Sequence, residues 1–400
     1  MDTLFALSGT SLILAAVSEN PMAFIPPVIC LVMLTAHASF FLKKQTAWQF
    51  VSENRELISC LFLISALILL SPLWSVRPAL SYERSLKAVI IIALGIGMLY
   101  CGLTSIKHYT YTHGVKIWKV LSFSAVIILA FLMVSAKLVP ALIAPLYDLK
   151  LFMLNKPFII LSLCILPFLA SLYIQRNRAL FTSTVLLVCL CLYLTHSQTT
   201  YLIALTAILT LGLHFLIKQR LVLLLAFAWI FVFIALPYLF YWFETPLINL
   251  MDSHPEWNRH ASPFARIEMW LGTSKLIIEK PLLGYGIGTY RDISLPVEAT
   301  YLKKTKMLHP HNLPLQIWFE FGLAGIIGTL ALAGLIFKKI LNMPLSQQRI
   351  AIISLNAFLT QFLVSYGLWQ SWGLAFAFFL VLYNALAFKL SEDRQVKAPS

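Results

Sequence analysis

The sequence predicts an all-α polytopic membrane protein, with about twelve transmembrane helices and one large outer loop containing short helices. Three observations predict it. The 400 residues are 60% hydrophobic and 12% charged, whereas soluble domains are about half apolar and about a quarter charged. Mean hydropathy is +0.84, so apolar residues dominate the whole length. Apolar runs of about 20 residues, the length that crosses a bilayer, recur along the chain. This composition excludes a secreted disulfide scaffold, a disordered chain and an ordinary cytosolic enzyme.

The runs lie near 3–18, 21–42, 57–74, 85–105, 120–136, 157–174, 179–195, 199–217, 221–242, 313–336, 350–366 and 370–388. They divide the chain into nine spans over 1–242, a long loop over 243–312, and three spans with a short tail over 313–400. Met1 to Ser18 lacks a basic start, so the first run is expected to remain a span and not be cleaved as a signal. Cys30, Cys60, Cys101, Cys164, Cys189 and Cys191 all fall in apolar runs without a CxxC pattern, as small buried hydrophobes do.

Net charge is +14, from 30 Lys and Arg against 16 Asp and Glu. In a membrane protein such an excess fixes orientation, and no nucleic-acid partner is expected. With the N-terminus inside, cytoplasmic loops hold 16 of the 30 basic residues, among them Lys43, Arg55, Lys107, Lys338 and Lys339. The short outer loops and adjoining span ends hold six: Arg77, Arg84, Lys87, Lys137, Lys150 and Lys156. Short loops decide topology, so both termini are expected in the cytoplasm.

The loop from Phe243 to Asn312 is too long for a simple connection and is not low-complexity. It carries Trp257, Trp270, four histidines (His254, His260, His309, His311) and seven acidic residues. Apolar residues at helical spacing from Phe264 to Lys280 predict a helix at the outer membrane surface, stopped by Pro281. Lys87 and Glu320 are the charges well inside the expected spans. Transport pathways usually need more, so the polar work is expected at the outer face.

Chemistry concentrates at the loop's end. His309-Pro310-His311-Asn312 stands at the start of a span, and histidine is the side chain best suited to take a proton near neutral pH. An interfacial histidine without a role is the competing account of His311. Glu320 follows nine residues later and must face a bundle interior. Gly322 and Gly325 are expected to let a neighbouring helix approach. Earlier, Arg266 offers a planar donor fork suited to a phosphate or pyrophosphate, or to lipid headgroups. The glycines of Pro281-Leu282-Leu283-Gly284-Tyr285-Gly286 follow a helix and precede none, so they predict a tight turn, not a dinucleotide loop. Arg77, Arg84 and Lys156 add positive charge from other outer loops. His309 and His311 lack a carboxylate or cysteine cluster, so no metal is expected.

Together these residues resemble the bacterial O-antigen ligase and Wzy-type polymerase superfamily. The similarity rests on His311-Asn312 with Gly322-x-x-Gly325, and on Trp74-Ser75-x-x-Pro78-x-x-Ser81. Ser197-Gln198-Thr199, Arg266-x-x-x-Trp270 and Pro281-Leu282-Leu283-Gly284-Tyr285-Gly286 complete it, in order, over roughly residues 60 to 340. The resemblance implies a GT-C-like glycosyltransferase of the bacterial inner membrane, with a large periplasmic loop and the active site on that side. It implies an undecaprenyl-pyrophosphate-linked glycan donor and, for a ligase, a lipid A-core acceptor within the membrane lipids, with neither metal nor nucleotide cofactor. His311 would be the general base, and Arg266, Lys156 and Arg84 would bind pyrophosphate. Asn312, Glu320, Trp270 and Gln198 would support them. Many members carry an arginine where this chain has Lys156, which supplies charge without a bidentate fork. A Wzy-type polymerase and a protein O-oligosaccharyltransferase share the pattern, and a lipid-linked glycan flippase is the non-enzyme alternative.

Overall fold

The computed structural model describes residues 2–36, 38–108, 113–138, 154–195, 197–254, 262–298, 300–302 and 304–397. Trp257, His260 and Lys150 lie outside the described residues. The described residues form helices and turns without a strand. The first half holds α1 (Asp2–Val17), α2 (Ile25–Ala36), α3 (Ala38–Phe41), α4 (Lys44–Glu53), α5 (Arg55–Leu70), α6 (Pro78–His108), α7 (Gly114–Leu138) and α8 (Asn155–Ile174). There follow α9 (Arg178–Leu194), α10 (Gln198–Ile217), α11 (Gln219–Trp242), α12 (Glu244–Ser253) and α13 (Ser262–Glu279). The chain closes with α14 (Leu313–Leu341), α15 (Leu345–Val364) and α16 (Ser371–Lys397).

Among the described residues, eight helices are long and apolar enough to cross a membrane: α5, α6, α7, α8, α10, α11, α14 and α16. The chain is a multi-pass helical membrane protein. The other four expected runs are also helical but shorter or more polar. Asp2–Val17, Asn20–Ala36 and Arg178–Leu194 are apolar but shorter. The second run is divided because Pro21 opens a separate 3-10 turn at Asn20–Phe24 before α2. Helix α15 has 20 residues but carries Gln347, Gln348, Asn356 and Gln361, all buried. They face other helices, not lipid. Gln348 meets His214 of α10 at 3.2 Å. Asn356 donates to Thr210 at 2.8 Å and accepts from Trp229 at 2.9 Å. A buried polar ladder of this kind lowers the hydropathy of a helix without exposing it.

Two apolar cores organise the bundle. One gathers α1, α2, α6, α7, α8 and α16 around Trp118, whose ring meets Phe5, Phe168 and Tyr383. The other gathers α11, α13, α14 and α15. Helix α13 agrees with the expected 264–280 helix, yet Phe264, Met269, Leu271 and Ile277 are buried inside the protein. Its apolar face therefore packs on α11 and α14. Helix α6 begins at Pro78, seven residues before the expected 85, because proline suits a helix's first turn. Arg84 and Lys87 thereby join its early turns.

Helix α14 is broken at Gly322, which has φ 57° and ψ −148°. A break inside a span releases backbone groups that lipid cannot satisfy. The turn after α13 satisfies them. Tyr285 and Gly286 N–H donate to the carbonyls of Phe319 (2.8 Å) and Glu320 (2.9 Å). Leu323 and Ala324 N–H donate to those of Pro281 (2.8 Å) and Leu282 (3.2 Å). Backbone meets backbone so closely that a Cβ on Gly322 would lie 2.5 Å from the Leu282 carbonyl carbon. On Gly284 a Cβ would lie 2.4 Å from the Phe319 oxygen. The expected neighbour of Gly322 was a helix; the observed one is this turn.

The opposite end of α14 joins α4, α5 and α6 through charge. Lys338 pairs with Glu56 (3.0 Å). Lys339 donates to Asn54 (2.8 Å), and Lys107 pairs with Glu53. Gly322→Ala is expected to cost about 2 kcal/mol or more, from the left-handed backbone and the clash. Gly334→Ala, with nothing within 4 Å of its Cβ position, should melt at or above the wild-type temperature. Thermal unfolding in detergent compares the two, and a wild-type melt for Gly322→Ala would contradict the close pairing.

Candidate functional site

The site is built on the segment entering α14. Asn312 is its N-cap: the side-chain oxygen accepts from Leu315 N–H at 3.0 Å. Asn312 is thus a structural support and fixes where the preceding histidine leaves the helix. His311 has φ +52°, a left-handed conformation rare outside glycine. Two contacts hold it there. Its N–H donates to His309 Nδ1 at 3.3 Å, and Trp270 Nε1 donates to the Pro310 carbonyl at 2.8 Å.

The ring of His311 is oriented by a group remote in sequence. Nδ1 lies 2.5 Å from the Ser365 carbonyl oxygen. A carbonyl only accepts, so the Nδ1 proton is fixed there. In the neutral ring the lone pair then sits on Nε2. Burial and the positive charge of Arg266 both hold the His311 pKa below its usual value, against the Ser365 bond that raises it. His309, at 4.1 Å between ring centroids, is pushed down to about 3 by burial, then by His311, Arg291 and Lys156. Both rings are therefore neutral near pH 7.

Arg266 and Trp270 stand one turn apart on α13 and share a face. Trp270 binds the segment before His311, and Arg266 acts electrostatically on His311 itself. Lys156 opens α8 and lines the same cavity as His309 and His311, a space of about 330 Å³. Its Nζ is held by Glu19 at 2.7 Å and lies 5.6 Å from the Tyr366 ring centre. Burial raises the Tyr366 hydroxyl to about 12, so it stays protonated.

Glu320 does face the protein interior, as expected, and is 1% exposed. Its carboxylate accepts from Gly288 N–H (3.1 Å), the Gln316 amide (3.3 Å) and Trp369 Nε1. Gln316 in turn accepts from Leu368 N–H at 3.0 Å. Glu320 therefore ties the broken helix to the turn at Gly288 and to the 365–370 turn that presents the Ser365 carbonyl.

Of the expected site residues, His311 and Lys156 line the cavity, and Arg266, Arg84, Asn312, Trp270, Glu320 and Gln198 do not. Arg84 packs under Gly288, and its buried Nε has no hydrogen-bond partner. Gln198 is exposed at the start of α10, where Ser197 is the cap. Conversely, Arg291, Lys304, Lys306 and Tyr366 line the cavity, although no motif marked them. No motif marked Glu19, the partner of Lys156. Glu268 was equally silent: it is 6% exposed and accepts from Thr300, Tyr301 and Leu302 N–H at 2.7–2.9 Å.

Selective histidine labelling and NMR titration test the electrostatics. His311 is expected to titrate below 6.5. In Arg266→Gln its pKa should rise, because a cation that opposes protonation is gone. An unchanged or lower value in that variant would contradict the arrangement.

Comparison with known proteins finds relatives of part of the chain. A family described as O-antigen ligase matches residues 183–330, the segment from α9 into α14. A protein of Rickettsia conorii named "Putative polysaccharide ligase" is 32% identical over 132 residues, covering 31% of this chain and 32% of its own. Counterparts of the same description in Rickettsia typhi and Rickettsia prowazekii are 31% and 30% identical over 132 residues, with the same coverage. The matched region thus spans about a third of each relative's length. Residues 183–330 are thus similar to the O-antigen ligase family and to part of these polysaccharide ligases.

Proposed function

We propose that this protein is a glycosyltransferase of the bacterial inner membrane that moves an O-antigen glycan from undecaprenyl pyrophosphate to a sugar of lipid A-core. In this reading the twelve helical runs span the membrane, both termini are cytoplasmic, and residues 243–312 form a periplasmic loop. The observation that carries it is the oriented, neutral His311 beside Arg266, in a cavity lined by Lys156.

The chemistry follows from these groups. His311 Nε2 takes the proton of the acceptor hydroxyl. The freed oxygen attacks the anomeric carbon of the donor sugar, forming the new glycosidic bond. The bond from that carbon to the phosphate oxygen breaks, and its electron pair leaves with undecaprenyl pyrophosphate. Arg266 and Lys156 stabilise the charge that grows on the leaving group, Arg266 by a bidentate fork and Lys156 as a point charge. Arg84 acts from behind Gly288, supporting the loop from beneath. A Wzy-type polymerase would use the same groups on a lipid-linked acceptor, and a flippase would form no bond.

Deleting the gene and separating lipopolysaccharide and lipid-linked glycan on one gel tests the reading. Long glycan is expected to persist on the carrier while none reaches the core. Core bearing a single repeat would indicate the polymerase instead. Wild type should restore ligation, and His311→Ala should lower it at least about a hundredfold. Full restoration by His311→Ala would remove the proposed base. Lys156→Arg should retain ligation, whereas Lys156→Gln should reduce it roughly tenfold or more.

A further inference from the structure

The cavity carries more positive charge than its proposed donor requires. A pyrophosphate diester bears one negative charge on each phosphate. Arg266 and Lys156 already match that charge once the ammonium exchanges Glu19 for phosphate oxygen. Three further cations, Arg291, Lys304 and Lys306, line the 330 Å³ space with Lys156, whereas Arg266 does not line it. Among the described residues, Glu19 is the one acid ion-paired with a lining cation. Asp292 follows Arg291 in the chain, but its ion pair is with Arg77, at 3.9 Å.

The lysines stand on an anchored wall. Glu268 accepts from three successive N–H groups, Thr300 to Leu302, just before Lys304. Between the two lysines, the Thr305 carbonyl accepts from Leu295 N–H at 3.1 Å. Arg291 acts on His309 together with Lys156, and Arg266 acts on the neighbouring His311. Like charges gathered on one fixed wall repel each other unless an anion joins them.

We propose that Arg291, Lys304 and Lys306 form a second anionic subsite, which takes a phosphate on the acceptor glycolipid. The subsite selects acidic acceptors and brings their hydroxyl to His311 while pyrophosphate occupies Arg266 and Lys156. It rests on the transferase reading above and deepens it by naming the acceptor's chemical class. Exposed contacts of this kind weaken with salt.

The test uses the full chain in phosphatidylcholine nanodiscs. Binding of lipid A-core glycolipid is compared with that of the same glycolipid dephosphorylated by hydrofluoric acid, at low and high salt. The wild type is expected to prefer the phosphorylated form by roughly tenfold at low salt, a preference that shrinks at high salt. In Lys304→Gln/Lys306→Gln the ratio of affinities should fall toward one. Equal binding by the wild type overturns the proposal, as does a preference that the double variant keeps. A preference that vanishes when phosphatidylglycerol is added also overturns it and assigns the lysines to lipid headgroups. Binding is read without turnover. A chain that shows the preference yet transfers no glycan therefore contradicts the transferase reading and leaves the subsite standing.

Discussion

The break in α14 at Gly322 is the constraint on which the site depends. Four backbone hydrogen bonds join the two sides of the break to residues 281–286. They fix the end of α13, and with it Arg266 and Trp270, against the start of α14, and with it His311. Nearby, Glu320 links Gly288 and Trp369 to the same helix. Irregular backbone at a span is tolerated only where protein or a cavity satisfies it. Here the satisfying segment is the loop that carries the cationic side chains, so folding and site assembly are one event.

A second consequence concerns proton chemistry. A base must be neutral before reaction and must present its lone pair in one direction. Burial and Arg266 keep His311 neutral, and the Ser365 carbonyl settles which nitrogen is free. The left-handed backbone of His311 stores strain that His309, Trp270 and Asn312 offset through their bonds to the same short segment. In the proposed reaction the same Arg266 that depresses the histidine would also meet the donor pyrophosphate. One charge would thereby serve two purposes.

Much of the architecture was legible because period and composition report directly on lipid contact. The runs along the chain fold as helices, and 262–279 is a helix as its apolar spacing required. Polarity turned inward did not hide the run at 350–366, most of which folds within α15. Gln348 and Asn356 lower the hydropathy of α15 while buried against α10 and α11. His311, Arg266 and Lys156 were legible as chemistry, because their residue types at an interface are few. Arg84 and Gln198 matched the pattern but, like Arg266, are not on the cavity wall, and neither is seen to act on His311. The Ser365 carbonyl, 54 residues from His311, leaves no trace in sequence, since any residue offers a carbonyl. Arg291, Lys304 and Lys306 were hidden among the many basic residues whose ordinary task is orientation.

The central claim is that this chain alone forms the glycosidic bond, with His311 as base. Its most direct test is purified protein in proteoliposomes, supplied with undecaprenyl-pyrophosphate-linked glycan and lipid A-core, with product mass and released pyrophosphate carrier followed together. The account predicts one carrier released for each glycan joined to core, and neither from His311→Ala. Glycan crossing the bilayer without either product, or equal product from His311→Ala, would contradict it.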